Sequence, residues 1–170
     1  GPFLISPASA LPVLWDFGTT IDGYSQAGAS ANTLTNGDDA VIQIRLDGNS
    51  LPASTDLLRL AGANCVVRGL SLTRAKQDAI ELVTNAANCV IEGNFIGLDT
   101  DGTNALANAA MGVLFTSTSN NVVGGTTPAA RNVISGNSSS GVQLSGAGAV
   151  SNVVQGNIIG TDRSGLLDKG

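Results

Sequence analysis

Short aliphatic runs alternate with Gly, Asn, Ser and Thr along most of the chain. They are Val41–Leu46, Cys65–Leu72, Ala79–Val83, Cys89–Ile96, Gly112–Phe115, Val122–Val123, Asn132–Ser135, Gly141–Leu144 and Asn152–Ile159. Each is rich in β-branched residues and bounded by turn formers, which predicts strands. No stretch places apolar residues at the 3.6-residue spacing of a long amphipathic helix, so crossover helices are not expected.

An aliphatic–x–Gly tripeptide punctuates these runs. It reads Ile21-Asp22-Gly23, Leu46-Asp47-Gly48, Val67-Arg68-Gly69, Ile91-Glu92-Gly93, Ile134-Ser135-Gly136 and Val154-Gln155-Gly156, at nearly even intervals. The step from Gly93 to Gly136 is about double the others and reads as two turns, because Gly112–Phe115 lies near its middle. A repeat of about 20–25 residues built on short strands is the signature of a solenoid, whose coils stack on one another. The remainder of each coil then supplies the long connection that parallel strands need. A second register supports this: Val90–Asp99 matches Val153–Asp162 at a constant offset, read as about three coils. Val113, Val133 and Val153 are evenly spaced, and Val122 and Val142 keep the same spacing, which reads as two strands per coil held in step.

Alternation along each strand assigns faces. Val67, Ile91, Ile134 and Val154 are expected inside the bore, whereas Arg68, Glu92, Ser135 and Gln155 vary freely and are expected outside. Gly69, Gly93, Gly136 and Gly156 close the motif at the turns, and the recurrent Asn94, Asn137 and Asn157 are expected to bond coil to coil. Residues 1–20 fit the repeat poorly and hold Phe3, Trp15 and Phe17. They read as an N-terminal cap or incomplete first coil, with Trp15 packed over the open end, ahead of coils over 21–170. One domain of 1–170 is expected, as a piece of a larger protein.

Composition narrows the partners. The chain is 42% hydrophobic but only 4% aromatic, which suits a narrow aliphatic bore better than a globular core. Charged residues make up 12%, with 13 Asp+Glu against 8 Lys+Arg, so no basic surface exists to neutralise nucleic-acid phosphates. No apolar run approaches the ~20 residues that span a bilayer, so membrane insertion is not expected. A surface of Ser, Thr, Asn and Gly suits an extracellular or cell-surface location.

At these residues the chain resembles the secreted bacterial right-handed parallel β-helix repeat proteins, of the pectate-lyase-like fold class. Asn88–Asp99, Asn120–Thr126, Arg131–Asn137 and Asn152–Asp162 carry the likeness, as does the opening Ser6–Gln26. The resemblance implies an all-β, right-handed parallel β-helix, here of about seven coils with a non-repeating N-terminal cap. It also implies a non-catalytic structural role, since such domains are commonly parts of large secreted or surface proteins.

Several motifs invite chemistry. Gly37-Asp38-Asp39 is similar to the paired aspartates of polygalacturonases, but the chain has no histidine and lacks the other segments of that site. Arg68, Arg74, Lys76 and Asp78 lie close in sequence and could share an outer face as a lyase would require. Asp99, Asp101 and Asn104 alternate oxygen ligands as calcium loops do, yet the remaining acidic ligands are missing; an Asx-turn is the simpler reading. Cys65 and Cys89 occupy the same position in successive repeats, which leaves open a buried pair of free thiols or a disulfide. No catalytic residue, metal or cofactor is assigned. The function expected is a structural scaffold or stalk. A polysaccharide-binding or polysaccharide-cleaving module, and a homo-oligomer stacked through open solenoid ends, are the alternatives.

Overall fold

The computed structural model describes all 170 residues. Fifteen short strands form three sheets, and every strand pairing is parallel. Sheet 1 stacks β1 (Phe3–Ile5), β3 (Ile44–Asp47), β6 (Leu70–Thr73), β9 (Phe95–Ile96), β12 (Val133–Ile134) and β15 (Ile158–Ile159). Sheet 2 stacks β4 (Leu58–Leu60), β7 (Ile80–Leu82), β10 (Val113–Thr116) and β13 (Val142–Ser145). Sheet 3 stacks β2 (Thr20–Asp22), β5 (Val66–Arg68), β8 (Val90–Glu92), β11 (Val122–Gly124) and β14 (Val153–Gln155). From Ile44 onward the chain visits sheets 1, 2 and 3 in turn, so this is a β-solenoid with three strands to a coil.

That count corrects the two-strand coil expected from the sequence. Val113, Val133 and Val153 fall in sheets 2, 1 and 3, so their spacing measures steps around a coil and not from coil to coil. The aliphatic–x–Gly tripeptide likewise marks two corners. Gly48 and Gly136 follow strands of sheet 1, whereas Gly23, Gly69, Gly93 and Gly156 follow strands of sheet 3. Counting both as one marker yields about seven coils, yet no sheet holds more than six strands. True coil lengths vary widely. Leu58 pairs with Ile80 one coil on, while Thr20 pairs with Val66, so the coil that follows β2 is about twice as long. The offset that relates Val90 to Val153 spans two coils, since Val90 pairs with Val122 and Val122 with Val153.

Inward positions stack in rows because registers are kept from coil to coil. Val67, Ile91 and Val123 form one row in sheet 3; Leu72, Ile96 and Ile134 form one in sheet 1; Leu60, Leu82 and Phe115 form one in sheet 2. All nine are fully buried. Burying each such side chain contributes roughly 1.5–3 kcal/mol, which makes the bore the main source of cohesion. Val154 belongs to the same row as Val67 and Ile91, but it is 40% exposed, because β14 is the last strand of its sheet. Ser135 does not share the outward position of Arg68 and Glu92. It lies at the end of β12 in sheet 1 and is buried, with its Oγ donating to Thr161 O at 2.6 Å.

Residues 1–22 are the first coil, not a cap. Phe3–Ile5 pairs in register with Ile44–Leu46, Leu14 bridges to Leu60, and Thr20–Asp22 pairs with Val66–Arg68. Trp15 and Phe17 stand 67% and 78% exposed, so they do not plug the bore. Its N-terminal mouth remains an apolar opening of about 300 Å³ lined by Ile5, Leu11, Ile21, Ile44, Leu46 and Leu58, among others.

The sequence pattern also hides a strap. Residues 26–43, between β2 and β3, run along the outer face of sheet 1. That face is apolar in the later coils, where Phe95 and Val133 point outward and pack with Ala40, Ile42 and Leu98; Tyr24 and Ile158 pack against this cluster. Two arginines fasten the strap by its carbonyls. Arg131 donates to Leu34 O (3.0 Å), Thr35 O (2.9 Å) and Gly37 O, while Arg163 donates to Asp38 O and to Ala40 O (3.1 Å). The Arg163 guanidinium also lies 5.5 Å from the Phe95 ring centroid, a cation–π distance.

A truncation series tests the bore. Ile91→Ala should cost about 3 kcal/mol by removing a fully buried branched side chain. Val154→Ala, in the same row, should cost under ~1 kcal/mol because the site is already open to water. Urea unfolding of both variants measures the contrast.

Candidate functional site

Corners are where a coil's backbone loses its strand partners, and there the chain places its amides. At the corner from sheet 3 to sheet 1, Asn94, Asn132 and Asn157 stack in one column. Asn132 Oδ1 accepts from Asn94 N at 2.9 Å and from Asn94 Nδ2 at 3.1 Å. Asn157 Oδ1 accepts from Asn132 N (3.2 Å) and Asn132 Nδ2 (2.9 Å) in the same way. Each Nδ2 also donates back to a carbonyl of the preceding coil: Asn94 to Val67 O, Asn132 to Ile91 O, Asn157 to Val123 O. An amide both donates and accepts at one end, which is what a stacked column needs.

A second ladder stands at the corner from sheet 2 to sheet 3. Asn121 Oδ1 accepts from Cys89 N at 2.8 Å, and Asn152 Oδ1 accepts from Asn121 N at 3.0 Å. Just before it, Asn64, Asn88, Asn120 and Ser151 all adopt positive φ, between 57° and 60°. Left-handed backbone is costly for most residues with a side chain and less so for Asn, which fits its repeated use here. A third ladder joins Asn108 and Asn137 at the corner from sheet 1 to sheet 2, where Asn108 Nδ2 donates to Asn137 Oδ1 at 2.8 Å. Asn137 therefore does not share a column with Asn94 and Asn157, as the spacing suggested.

Cys65 and Cys89 occupy the ladder column of Asn121 and Asn152. Both are free and buried, and both thiols donate to the single carbonyl of Gly62, at 3.3 and 3.4 Å. Burial pushes the Cys89 thiol up to about 11, so it is not an activated nucleophile. The glycine corner is closed by a ring. Tyr24 Oη donates to Gly93 O at 2.6 Å, and a Cβ on Gly93 would fall 2.8 Å from that same Oη. A Cβ on Gly69 would fall 2.6 Å from Tyr24 N, so this corner admits only glycine.

The motifs singled out for chemistry do not converge. Asp38 turns inward under the strap, where its Oδ1 accepts from Ala40 N at 2.8 Å. Burial pushes its carboxyl above the usual range, against the hydrogen bond from Ala40 N and the nearby Arg163 and Arg131. Asp39 turns to solvent and accepts from Thr33 N and Thr33 Oγ1, both at 2.7 Å, which holds its carboxyl low. The two carboxylates thus serve opposite sides of one loop.

Arg68, Arg74 and Asp78 do not share a common face: Arg68 lies on β5 of sheet 3, and Arg74 and Asp78 lie at opposite ends of the connection from β6 to β7. Arg68 pairs with Asp22 (2.7 Å) and Glu92 (3.8 Å) outside sheet 3, and Arg74 reaches Asp47 (3.4 Å) beside sheet 1. Asp78 is buried at the entrance to sheet 2, and Lys76 makes no ion pair with any of them.

Asp99 closes a hairpin. Its carboxylate accepts from Thr103 N (3.0 Å), Asn104 N (3.2 Å) and Asn104 Nδ2 (2.6 Å), while Leu98 bridges to Ala105. Burial opposes ionisation there, but these bonds prevail and hold the carboxyl below its ordinary value. Asp162 does the same in the last loop through Ser164 and Leu167, with Thr161 bridged to Asp168. Of the weak calcium candidates, Asp99 and Asn104 therefore form an Asx-turn, in which the Asp101 side chain takes no part, and no group of three acidic, Cys or His side chains is placed to hold a metal ion. No helix is long and apolar enough to cross a membrane.

Comparison with protein-family models, with curated proteins and with solved structures finds no match for this chain.

The ladders generate a sharp test. Asn132→Ala strands the backbone N–H of Asn94 and removes the amide donor to the carbonyl of Ile91, both buried, so a loss of about 2–3 kcal/mol is expected. Asn104→Ala, which removes a comparable bond at an exposed turn, should cost under ~1 kcal/mol. Thermal unfolding of the two proteins compares them.

Proposed function

We propose that this chain is a non-catalytic scaffold, a rigid β-helix segment of a secreted or cell-surface protein. The observation that supports it is where the polar side chains go. Its Asn columns, the Asp38-Asp39 pair and Asp99 are all engaged with backbone of this same chain. The asparagines join coil to coil and these aspartates brace their own loops, so none of the motifs singled out in the sequence converges on a common point. The reading carries a right-handed winding, the hand that parallel strand crossovers take in about 98% of cases. It also places the chain with the pectate-lyase-like β-helix class that its repeats resemble.

End-to-end association is the second reading, and one observation favours it. Both ends of the bore are open: the apolar mouth at β1 and β2, and the exposed Val153, Val154 and Ile159 of the last strands. Sheet 1, however, carries six strands against five in sheet 3. A second copy seated flush on sheet 3 would set its own β1 against β15 in the same layer. Simple stacking would therefore require one of those strands to move aside, which ranks this reading below the scaffold. Polysaccharide cleavage has no comparable support, because Asp38 and Asp39 point apart.

The scaffold is tested by turnover and mass together. Incubation with pectic and other acidic polysaccharides should release no reducing ends and no unsaturated products. Cleavage that disappears in Asp38→Asn would discard the scaffold for an enzyme. Light scattering should return the 17.0 kDa monomer. A larger mass that falls back in Val154→Asp would establish stacking through the ends.

A further inference from the structure

Three carboxyl groups meet outside sheet 2 with only one cation paired to them. Asp56 and Asp78 stack at the entrance to β4 and β7, where Asp56 Oδ1 accepts from Asp78 N at 3.1 Å. Asp78 Oδ1 in turn accepts from Met111 N of the next coil at 2.8 Å. Glu81, on β7, accepts from Thr116 Oγ1 at 2.9 Å and pairs with Arg59 Nε of β4 at 3.2 Å. Arg59 is thus the one neutralising group, and it is itself half exposed. The loop Ala10–Val13, which lines a cleft with Asp56 and Arg59, brings no charge.

Asp78 is fully buried, and its Oδ2 has no hydrogen-bond partner. A buried carboxylate oxygen without a partner strongly disfavours the ionised form. The three acids together would place three negative charges against one guanidinium in a largely dry setting.

We infer that Asp56 and Asp78, beside the Glu81 carboxylate, hold one proton between them in mild acid, across the seam between the second and third coils, and that losing it on neutralisation loosens that seam. Burial is the first cause on both aspartates: it raises Asp78 and lifts Asp56 to about 6, with the neighbouring carboxyls adding to the rise. A carboxyl raised in the fold binds its proton more tightly there than in the unfolded chain. Its contribution is complete below the ordinary aspartate value and is lost as pH climbs through the folded value. The window therefore opens at about pH 4 and runs through the Asp56 value of about 6. Carboxyls held low, such as Asp99 and Asp162, act in the opposite sense and only in stronger acid. Asp38, under the strap, is also raised by burial, so the seam is read from the difference that Asp56 makes.

The experiment is urea unfolding at pH 5 and pH 8 for the native chain and for Asp56→Asn. That variant removes the charge but keeps an acceptor for Asp78 N. The native folding constant should fall on the order of ten-fold between the two pH values, and Asp56→Asn should remove most of that fall. Protection of the Leu57 and Leu58 amides, which bond to Asp78 O and Ala79 O, should drop at pH 8 in the native chain alone. An equal fall in both proteins, or none in the native one, overturns the inference. Should Asp56→Asn fail to fold, carboxyl-carbon NMR of the native chain decides: a titration of Asp56 above pH 5 supports the shared proton, and an ordinary aspartate titration overturns it.

Discussion

A coil of three short strands must turn three times, and each turn strands backbone donors and acceptors that no strand partner can reach. Everything else in the fold depends on meeting that demand. An unmet buried polar group costs about 1–3 kcal/mol, comparable to what one buried Val or Ile returns. The asparagine columns meet it by giving each corner an amide that bonds the coil above and the coil below at once. Asn132 does this completely, engaging Asn94 through its oxygen and Ile91 O and Asn157 through its nitrogen. The bore supplies cohesion, but the ladders make that cohesion attainable, because they let the chain turn without leaving orphans inside.

The ladders thin out toward the start of the chain, and the chemistry changes with them. Where Asn121 and Asn152 stand in the later coils, Cys89 and Cys65 stand in the earlier ones; a thiol offers one weak donor and no comparable acceptor. Leu70 takes the place of asparagine beneath Asn94, and its N–H is met by Asn94 Oδ1 at 3.1 Å. The early coils compensate with Tyr24, whose hydroxyl reaches two coils along to Gly93 O, and with the ion pairs Asp22–Arg68–Glu92. Exposed pairs of that kind contribute little, about 0–1 kcal/mol each. The first coils are thus held less by polar ladders and more by their apolar rows.

Much of this architecture was legible in the residues, and the part that was not has a physical reason. Strand positions and the aliphatic bore could be read because burial on one face imposes alternation; Val67, Ile91 and Ile134 lie where alternation put them. The column of each strand could not. Corners of sheets 1 and 3 use the same aliphatic–x–Gly turn, since both must pivot tightly past a neighbouring coil, so Gly136 and Gly156 look alike while belonging to different sheets. Coils as unequal as those that join Leu58 to Ile80 and Thr20 to Val66 then blurred the period further. For the candidate chemistry, the Asp99–Asn104 turn was legible because both residues lie in one short loop, whereas Asp38-Asp39 was visible only as a motif, since Arg163, which bonds Asp38 O, lies in a distant loop whose path no local pattern records. The outward Phe95 and Val133 were the available signal for the strap, because an apolar outer face needs a cover.

That strap changes what kind of object the solenoid is. Stacked repeats ordinarily touch only their neighbours, so their stability is a sum of local terms and one end can fray without the other. Here Arg131 and Arg163 bind carbonyls of Gly37 and Asp38, far earlier in the chain. The segment that leaves the first coil is held by residues of the last ones, over a shared apolar patch centred on Phe95. Contacts of such separation must wait for the intervening coils to form, and they slow folding. Once made, they oppose fraying of either end, because opening the last coil also uncovers the outer face of sheet 1. The stack acquires in this way a cooperativity that its nearest-neighbour contacts alone do not supply.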